Sequence, residues 1–182
     1  MTTLQERIAG ERRRLKSVRQ RLSAALEKTG ADDRAQFYTA VGDYMEAAME
    51  RLHAQDVKMG NMIREKVERV DESVEKALAE LDERLEGNQQ RLQRMLSARD
   101  ELRTKGAAAI AEFEAAAKDF TDFIVQNMGH HGATTDLAGR LFKSDDWEFM
   151  AGISADDEAR EKALYAQVDE ATPADLEPPA SQ

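Results

Sequence analysis

The sequence predicts an all-α protein: a four-helix bundle of long amphipathic helices, followed by short C-terminal helices. Three observations lead there. Apolar residues recur at three- and four-residue spacing from Leu4 onward, with no alternating strand pattern. The three prolines, Pro173, Pro178 and Pro179, all lie in the last ten residues, so none interrupts a helix before them. Glycines and cap-type residues punctuate the chain at helix-length intervals. An extended coiled-coil hairpin is the alternative, because the central apolar seam is long.

Leu4, Ile8, Leu15, Val18, Leu22 and Ala25 mark the first helix, with Glu11 in the remaining seam slot. Gly30 is its expected C-terminal cap, and Asp32 or Asp33 the expected cap of the next helix. That helix carries Phe37, Val41, Tyr44, Ala48, Leu52, Met59 and Met62 on one face. The stripe continues through Ile63, Val67, Val70, Val74, Ala77, Leu81 and Leu85. At about 100° per residue it drifts slowly enough to allow one helix over 33–86, roughly 80 Å long. A break near Gly60, or at 71–73 where Asp71 or Ser73 would cap, is the other reading. Gly87-Asn88 is the next expected turn, before Leu92, Met95, Leu96 and Leu102. Gly106 precedes a fourth segment with Ile110, Phe113, Ala117, Phe120, Ile124 and Met128, which Gly129-His130-His131-Gly132 should end. Two shorter helices follow, around 135–150 and 155–168, the second opened by Ser154 and Asp157 in a capping box. The expected organisation is therefore a helical bundle over 1–152, a short C-terminal helix over 153–168, and a disordered acidic proline-containing tail over 169–182.

Composition narrows the function. No apolar run approaches the length of a membrane span, so no transmembrane segment is expected. The first residues lack the apolar core of a secretory signal, and a cytoplasmic location is expected. The chain has no cysteine, which excludes disulfides, thiolate zinc sites and thiol nucleophiles. A net charge of −10 disfavours phosphate-rich partners for the chain as a whole. The charge is uneven: residues 1–28 hold eight Lys or Arg against three Glu, and residues 154–182 hold eight acids against two bases. Complementarity between these ends is the expected use. No nucleic-acid role is expected, because the basic helix has no aromatic side chain for stacking.

The chain has three histidines. Glu46, Glu50 and His53 form the most inviting metal pattern, since Glu50 and His53 have the Glu-x-x-His spacing of di-iron bundles. They fall roughly 180–240° around the helix from Tyr44, off the apolar stripe, and a solvated face is expected there. His130 and His131 pair in a glycine-flanked turn, where the alternative to a metal is a polar loop near a helix C-terminus. Glu11, Asp56, Asn88 and Asn127 lie on apolar stripes, where burial demands a hydrogen bond or an ion pair. They form a polar layer that sets register, or they sit at bundle ends reached by water. No Ser-His-Asp ordering, phosphate loop or dinucleotide motif is present.

With Leu137-Ala138, Leu141-Phe142 and Asp146-Trp147 near its end, and Tyr44-Met45 ahead of Leu52-His53-Ala54-Gln55-Asp56, the stretch 4–150 resembles the hemerythrin-like (HHE) family of four-helix bundles. Leu137-Ala138, Leu141-Phe142 and Asp146-Trp147 are similar to that family's closing segment. Tyr44-Met45 precedes Leu52-His53-Ala54-Gln55-Asp56 much as a tyrosine precedes the family's His-x-x-x-Glu run. Glu11-Arg12 and Glu86-Gly87 stand where family members carry Glu-His, and Asn127-Met128 where they carry His-Met. The resemblance implies a di-iron bundle, but Arg12, Leu52, Gly87 and Asn127 occupy histidine places and leave Asp56 as the clear ligand type. A bundle retained without its metal centre is expected: a non-catalytic interaction or structural protein, not an enzyme, with no cofactor. The alternative is a non-haem di-iron protein binding or sensing oxygen or nitric oxide, with Glu46, Glu50, His53, Asp56, His130 and His131 as candidate ligands. The expected partner is a second copy or another helical protein, since an unbroken central helix outruns the first helix and needs another chain to cover its seam.

Overall fold

The computed structural model describes residues 3–28, 31–127 and 131–176. Helix α1 (Leu4–Glu27) opens with a capping box, in which the Thr3 hydroxyl accepts from the Glu6 amide and the Glu6 carboxylate accepts from the Thr3 amide. It buries Glu11, Val18, Leu22 and Ala25, while Leu15 is half-buried. A 3-10 turn, Asp32–Arg34, leads into α2 (Ala35–Lys66). Neither Asp32 nor Asp33 caps α2: its first turn continues directly from the 3-10 turn, and the cap position, Arg34, makes no side-chain cap bond. The expected cap Gly30 lies outside the described residues.

The unbroken helix over 33–86 does not form. Backbone at Val67 and Asp71 is extended, and Asp71 accepts from the Ser73 and Val74 amides, starting α3 (Glu72–Lys105). These bonds satisfy two of the orphan donors at a helix start. The break therefore falls at the Asp71 alternative, and Gly60 lies buried inside α2. Val70, expected on the seam, is 54% exposed in the connection. The turn expected at Gly87-Asn88 is absent, because both residues lie within α3. Tertiary packing explains the glycine: a Cβ at Gly87 would come within 2.8 Å of Phe123 Cε1 and closer still to Cζ.

Gly106, at φ 59°, ends α3 where an L side chain would be strained. A second 3-10 turn (Gly106–Ala109) precedes α4 (Ile110–Asn127). His131, expected in a turn, instead opens α5 (His131–Leu141); His130 lies outside the described residues. The helix expected over 135–150 is divided into α5 and α6 (Ser144–Met150), with the Asp146 carboxylate accepting from the Lys143 amide at the start of α6. Ser154 caps α7 (Ala155–Ala171), accepting from the Asp157 amide, but the expected box is half formed: the Asp157 carboxylate accepts from the Ser154 hydroxyl and not from its amide. The tail is not disordered over 169–176. Asp169 pairs with Arg21, a 3-10 turn forms at Ala174–Leu176, and Leu176 is 4% exposed. Residues 177–182 lie outside the described residues.

The described residues are all-α. Two apolar clusters organise them. The larger is built from five helices and two 3-10 turns, among them Leu22 of α1, Tyr44 of α2, Met95 of α3, Ala109, Phe113 of α4, Val168 of α7 and Leu176. Helix α7 is thus a core element, not an appendage. The smaller cluster packs Met59, Met62 and Ile63 of α2 and Val74, Ala77 and Leu78 of α3 beneath Leu137, Ala138 and Phe142. Of the seam expected on an unbroken helix, Ile63, Val74 and Ala77 are covered here by α5 and the segment leading into α6. Among the described residues, no helix is long and apolar enough to cross a membrane.

Candidate functional site

Glu11 sits on the apolar side of α1 and is 4% exposed; Glu161, on α7, is 2% exposed. Neither can stay buried as a carboxylate without partners. Arg51, seven residues after Tyr44 and therefore on the inward side of α2, reaches both. Its Nε donates to Glu161 Oε2 at 2.7 Å and its Nη2 to Glu161 Oε1 at 3.2 Å, a bidentate fork. Its Nη1 lies 3.2 Å from Glu11 Oε2. Arg7 Nη1 donates to Glu11 Oε1 at 2.6 Å, and Arg14 Nη2 lies 3.9 Å from Glu161 Oε1. All four carboxylate oxygens thus face a guanidinium. Arg7 and Gln55 also donate to the Ala151 carbonyl, which ties the entrance of α7 to α1 and α2.

Burial alone would lower the Arg51 pKa, but the hydrogen bonds and charge of Glu161, with the charge of Glu11, outweigh it and hold it above the ordinary value. Next to this cluster the Tyr44 hydroxyl is buried with no hydrogen-bond partner. Burial first, and the Glu161 charge second, push its pKa well above the usual tyrosine range, so it is not a phenolate. The cluster joins α1, α2 and α7 by charge-assisted bonds, with a guanidinium at each carboxylate oxygen.

The candidate ligands are dispersed. Glu46 accepts from Arg99 Nη1 at 2.6 Å, and Asp56 accepts from Arg84 Nη1 at 3.1 Å. Glu50 is exposed. His53 is half-buried in a groove of about 140 Å3 between α2 and α3, beside Leu52, Leu85 and Asn88. The face carrying Glu46 and His53 is therefore not simply solvated: α3 covers that flank of the apolar stripe. His131 opens α5 and His130 lies outside the described residues. Among the described residues, no group of three or more His, Cys, Asp or Glu side chains could hold a metal.

Of the polar residues on apolar stripes, Glu11 is fully buried and Asp56 is paired, while Asn127 donates to the Phe123 carbonyl. Asn88 keeps a buried Oδ1 with no hydrogen-bond partner. The arginines that answer these acids were not singled out by pattern, although Arg51 and Arg84 stand seven residues after Tyr44 and Ala77 on the same stripes.

The segments that resemble the hemerythrin-like closing motif have a packing role. Leu137, Ala138 and Phe142 are buried, and the Phe142 and Trp147 rings meet edge-on at 5.3 Å. Asp146 also pairs with Lys66 at 3.0 Å. Compared with family models, curated proteins and solved structures, the chain matches none.

Proposed function

We propose that this chain is a non-catalytic helical interaction protein: a bundle resembling the hemerythrin-like architecture in which arginine, not metal, balances the interior carboxylates. The observation that carries this reading is the enclosure of Glu11 and Glu161 by Arg7, Arg14 and Arg51. A di-iron centre needs several imidazole and carboxylate donors converging on one point. At the positions where the resemblance would put histidines stand Arg12, Leu52, Gly87 and Asn127, and Asp56, the remaining ligand type, is held by Arg84. Arginine, leucine and glycine side chains offer iron no donor, so these residues do not fit the metal pair. The use we assign to the fold is presentation of its exposed helix faces to another protein.

Elemental analysis and absorption spectroscopy of protein produced in iron-supplemented medium test this. The expected result is iron far below stoichiometry and a thermal midpoint unchanged by added Fe(II) or chelator. Near-stoichiometric iron with oxo-bridge absorption bands would overturn the reading in favour of a di-iron carrier or sensor.

A further inference from the structure

The basic residues of α1 divide into two sets by direction. Arg7, Arg14, Arg21 and Lys28 recur every seventh residue, and each finds an acid: Glu11, Glu161, Asp169 and Asp175 respectively. Arg12, Lys16 and Arg19 recur at i, i+4 and i+7 on another face, with Arg13 beside them. Among the described residues, none of these four pairs with a carboxylate, although the chain has ten more acids than bases. Arg12, Arg13 and Lys16 are exposed, and Arg19 is half-buried. Lys16 and Arg19 begin an open face of α1 that continues past Gln20, Ser23 and Ala24 to Glu27.

We infer that this face of α1 docks an acidic helix of another protein, one presenting carboxylates at i, i+4 and i+7. The inference rests on the interaction reading above and gives it a surface and a partner chemistry. A folded carboxylate ladder matches the stripe in length, since Arg12 to Arg19 spans roughly 10 Å of helix. Glu27 at the far end sets polarity and favours a partner helix with a basic residue about two turns beyond its acids. A phosphate polymer fits less well, because the stripe has no aromatic platform and the rest of the chain repels polyanions. Burial holds the Arg19 pKa below its ordinary value, so a carboxylate placed beside it regains what desolvation withholds.

Fluorescence anisotropy on the full chain tests the surface. The probe is a labelled alanine-based helical peptide with glutamates at i, i+4 and i+7. A peptide of the same composition with glutamates scattered around the helix is the control, together with phosphatidylserine vesicles and duplex DNA. The striped peptide is expected to bind about tenfold tighter than the scattered one, and to weaken as salt rises from low to physiological strength. Arg12→Ser/Lys16→Ser and Arg12→Ser/Lys16→Ser/Arg19→Ser should lose that preference without losing helicity, and Arg69→Ser should keep it. The double variant spares the half-buried Arg19, so binding is read even if the triple variant unfolds. Equal affinity for the two peptides, tighter binding to vesicles or DNA, or a salt-sensitive dimer abolished by the double variant would each overturn the proposal. Loss of the peptide preference in iron-free protein sinks this surface alone. Stoichiometric iron sinks the reading beneath it.

Discussion

Removing Arg51 should be among the most damaging single changes available to this chain. In Arg51→Leu, Glu161 keeps only Arg14 at 3.9 Å and Glu11 keeps only Arg7, while both carboxylates are 5% exposed or less at the side chain. The arginine they lose is itself 9% exposed. Breaking a buried pair from one side costs about 3–5 kcal/mol, most of it the penalty of an uncompensated charge. For a chain of this size that corresponds to a fall in Tm of about 6–20 °C. The control is Arg64→Leu. Arg64 makes a bidentate bridge to Asp82 at 2.7 and 2.9 Å, but the two side chains are 41% and 59% exposed. Screening by water leaves such a pair at about 0–1 kcal/mol. Urea unfolding of both variants and the parent at neutral pH, followed by circular dichroism, gives the comparison. If Arg51→Leu costs no more than Arg64→Leu, water reaches the cluster and the buried ionic brace is not what holds α7 to α1 and α2.

Three further outcomes can be checked on the same preparation. Tyr44 is fully buried and its hydroxyl has no hydrogen-bond partner, so Tyr44→Phe should be neutral or stabilise by up to about 1 kcal/mol in urea unfolding; a loss above about 1 kcal/mol would mean the hydroxyl is bonded. Gly87→Ala, which at an exposed helix site gains about 1 kcal/mol, should here cost about 1–3 kcal/mol, because the Phe123 ring stacked 4.0 Å from the Arg91 guanidinium must move; a gain in Tm would show that the ring does not pack there. The Ser73 hydroxyl and the Val74 and Ser73 amides hold the Asp71 pKa below 3.8. Its contribution to stability is therefore present above pH 3.8 and is lost as pH falls through the lower folded value. Carboxyl NMR should place its midpoint below 3.8, with first-turn amides of α3 losing protection over the same range; a midpoint at or above 3.8 contradicts the cap.

Local signals were readable from the chain where local physics decides. The stripe from Leu4 to Ala25, the Ser154 cap and the glycine at position 106 locate α1, α7 and the end of α3 because periodicity, capping and positive φ are properties of neighbouring residues. Asp71 was one of the breaks the pattern allowed, and the extended backbone on either side of the connection selected it. Gly87 misled because its glycine answers Phe123, 36 positions away, and not a local turn. The tail misled because its acids looked solvated, while Asp169 and Asp175 are drawn to Arg21, Lys28 and Arg34 and Leu176 completes the main cluster. Of the ionic cluster only Glu11 stood out. Arg51 and Glu161 hold apolar-stripe positions, seven residues after Tyr44 and seven before Val168, but charged residues on a helix are usually exposed. A pattern that tests for arginine, as well as acids, at stripe positions would have found the brace.

The brace lies between the two apolar clusters, and that position suggests what it specifies. Along α2 the main cluster ends at Ala48 and Met49, the second begins at Met59, and Arg51, Gln55 and Asp56 fall between. Along α3 the second cluster runs from Val74 to Leu78 and the main one resumes at Leu92; between them Arg84 meets Asp56. Sliding α1 or α7 by one turn would keep apolar side chains against apolar side chains, but it would strand Glu11 or Glu161 away from Arg51. A polar layer of this kind contributes little net stability and instead penalises the wrong register. The variant Glu11→Leu/Arg51→Met/Glu161→Leu removes the buried acids together with Arg51, and the Arg7 and Arg14 side chains, 13% and 17% exposed, must then turn to water. Its stability should match the parent or exceed it by about 1–4 kcal/mol, in contrast to the loss expected for Arg51→Leu alone. The cost should appear in uniqueness: broadened or doubled amide resonances from α1 and α7, and a lower urea m-value. Two results count against this account. A triple variant as unstable as Arg51→Leu would mean that the ion pairs are net favourable. A triple variant with one sharp set of resonances would mean that the apolar clusters set the register unaided.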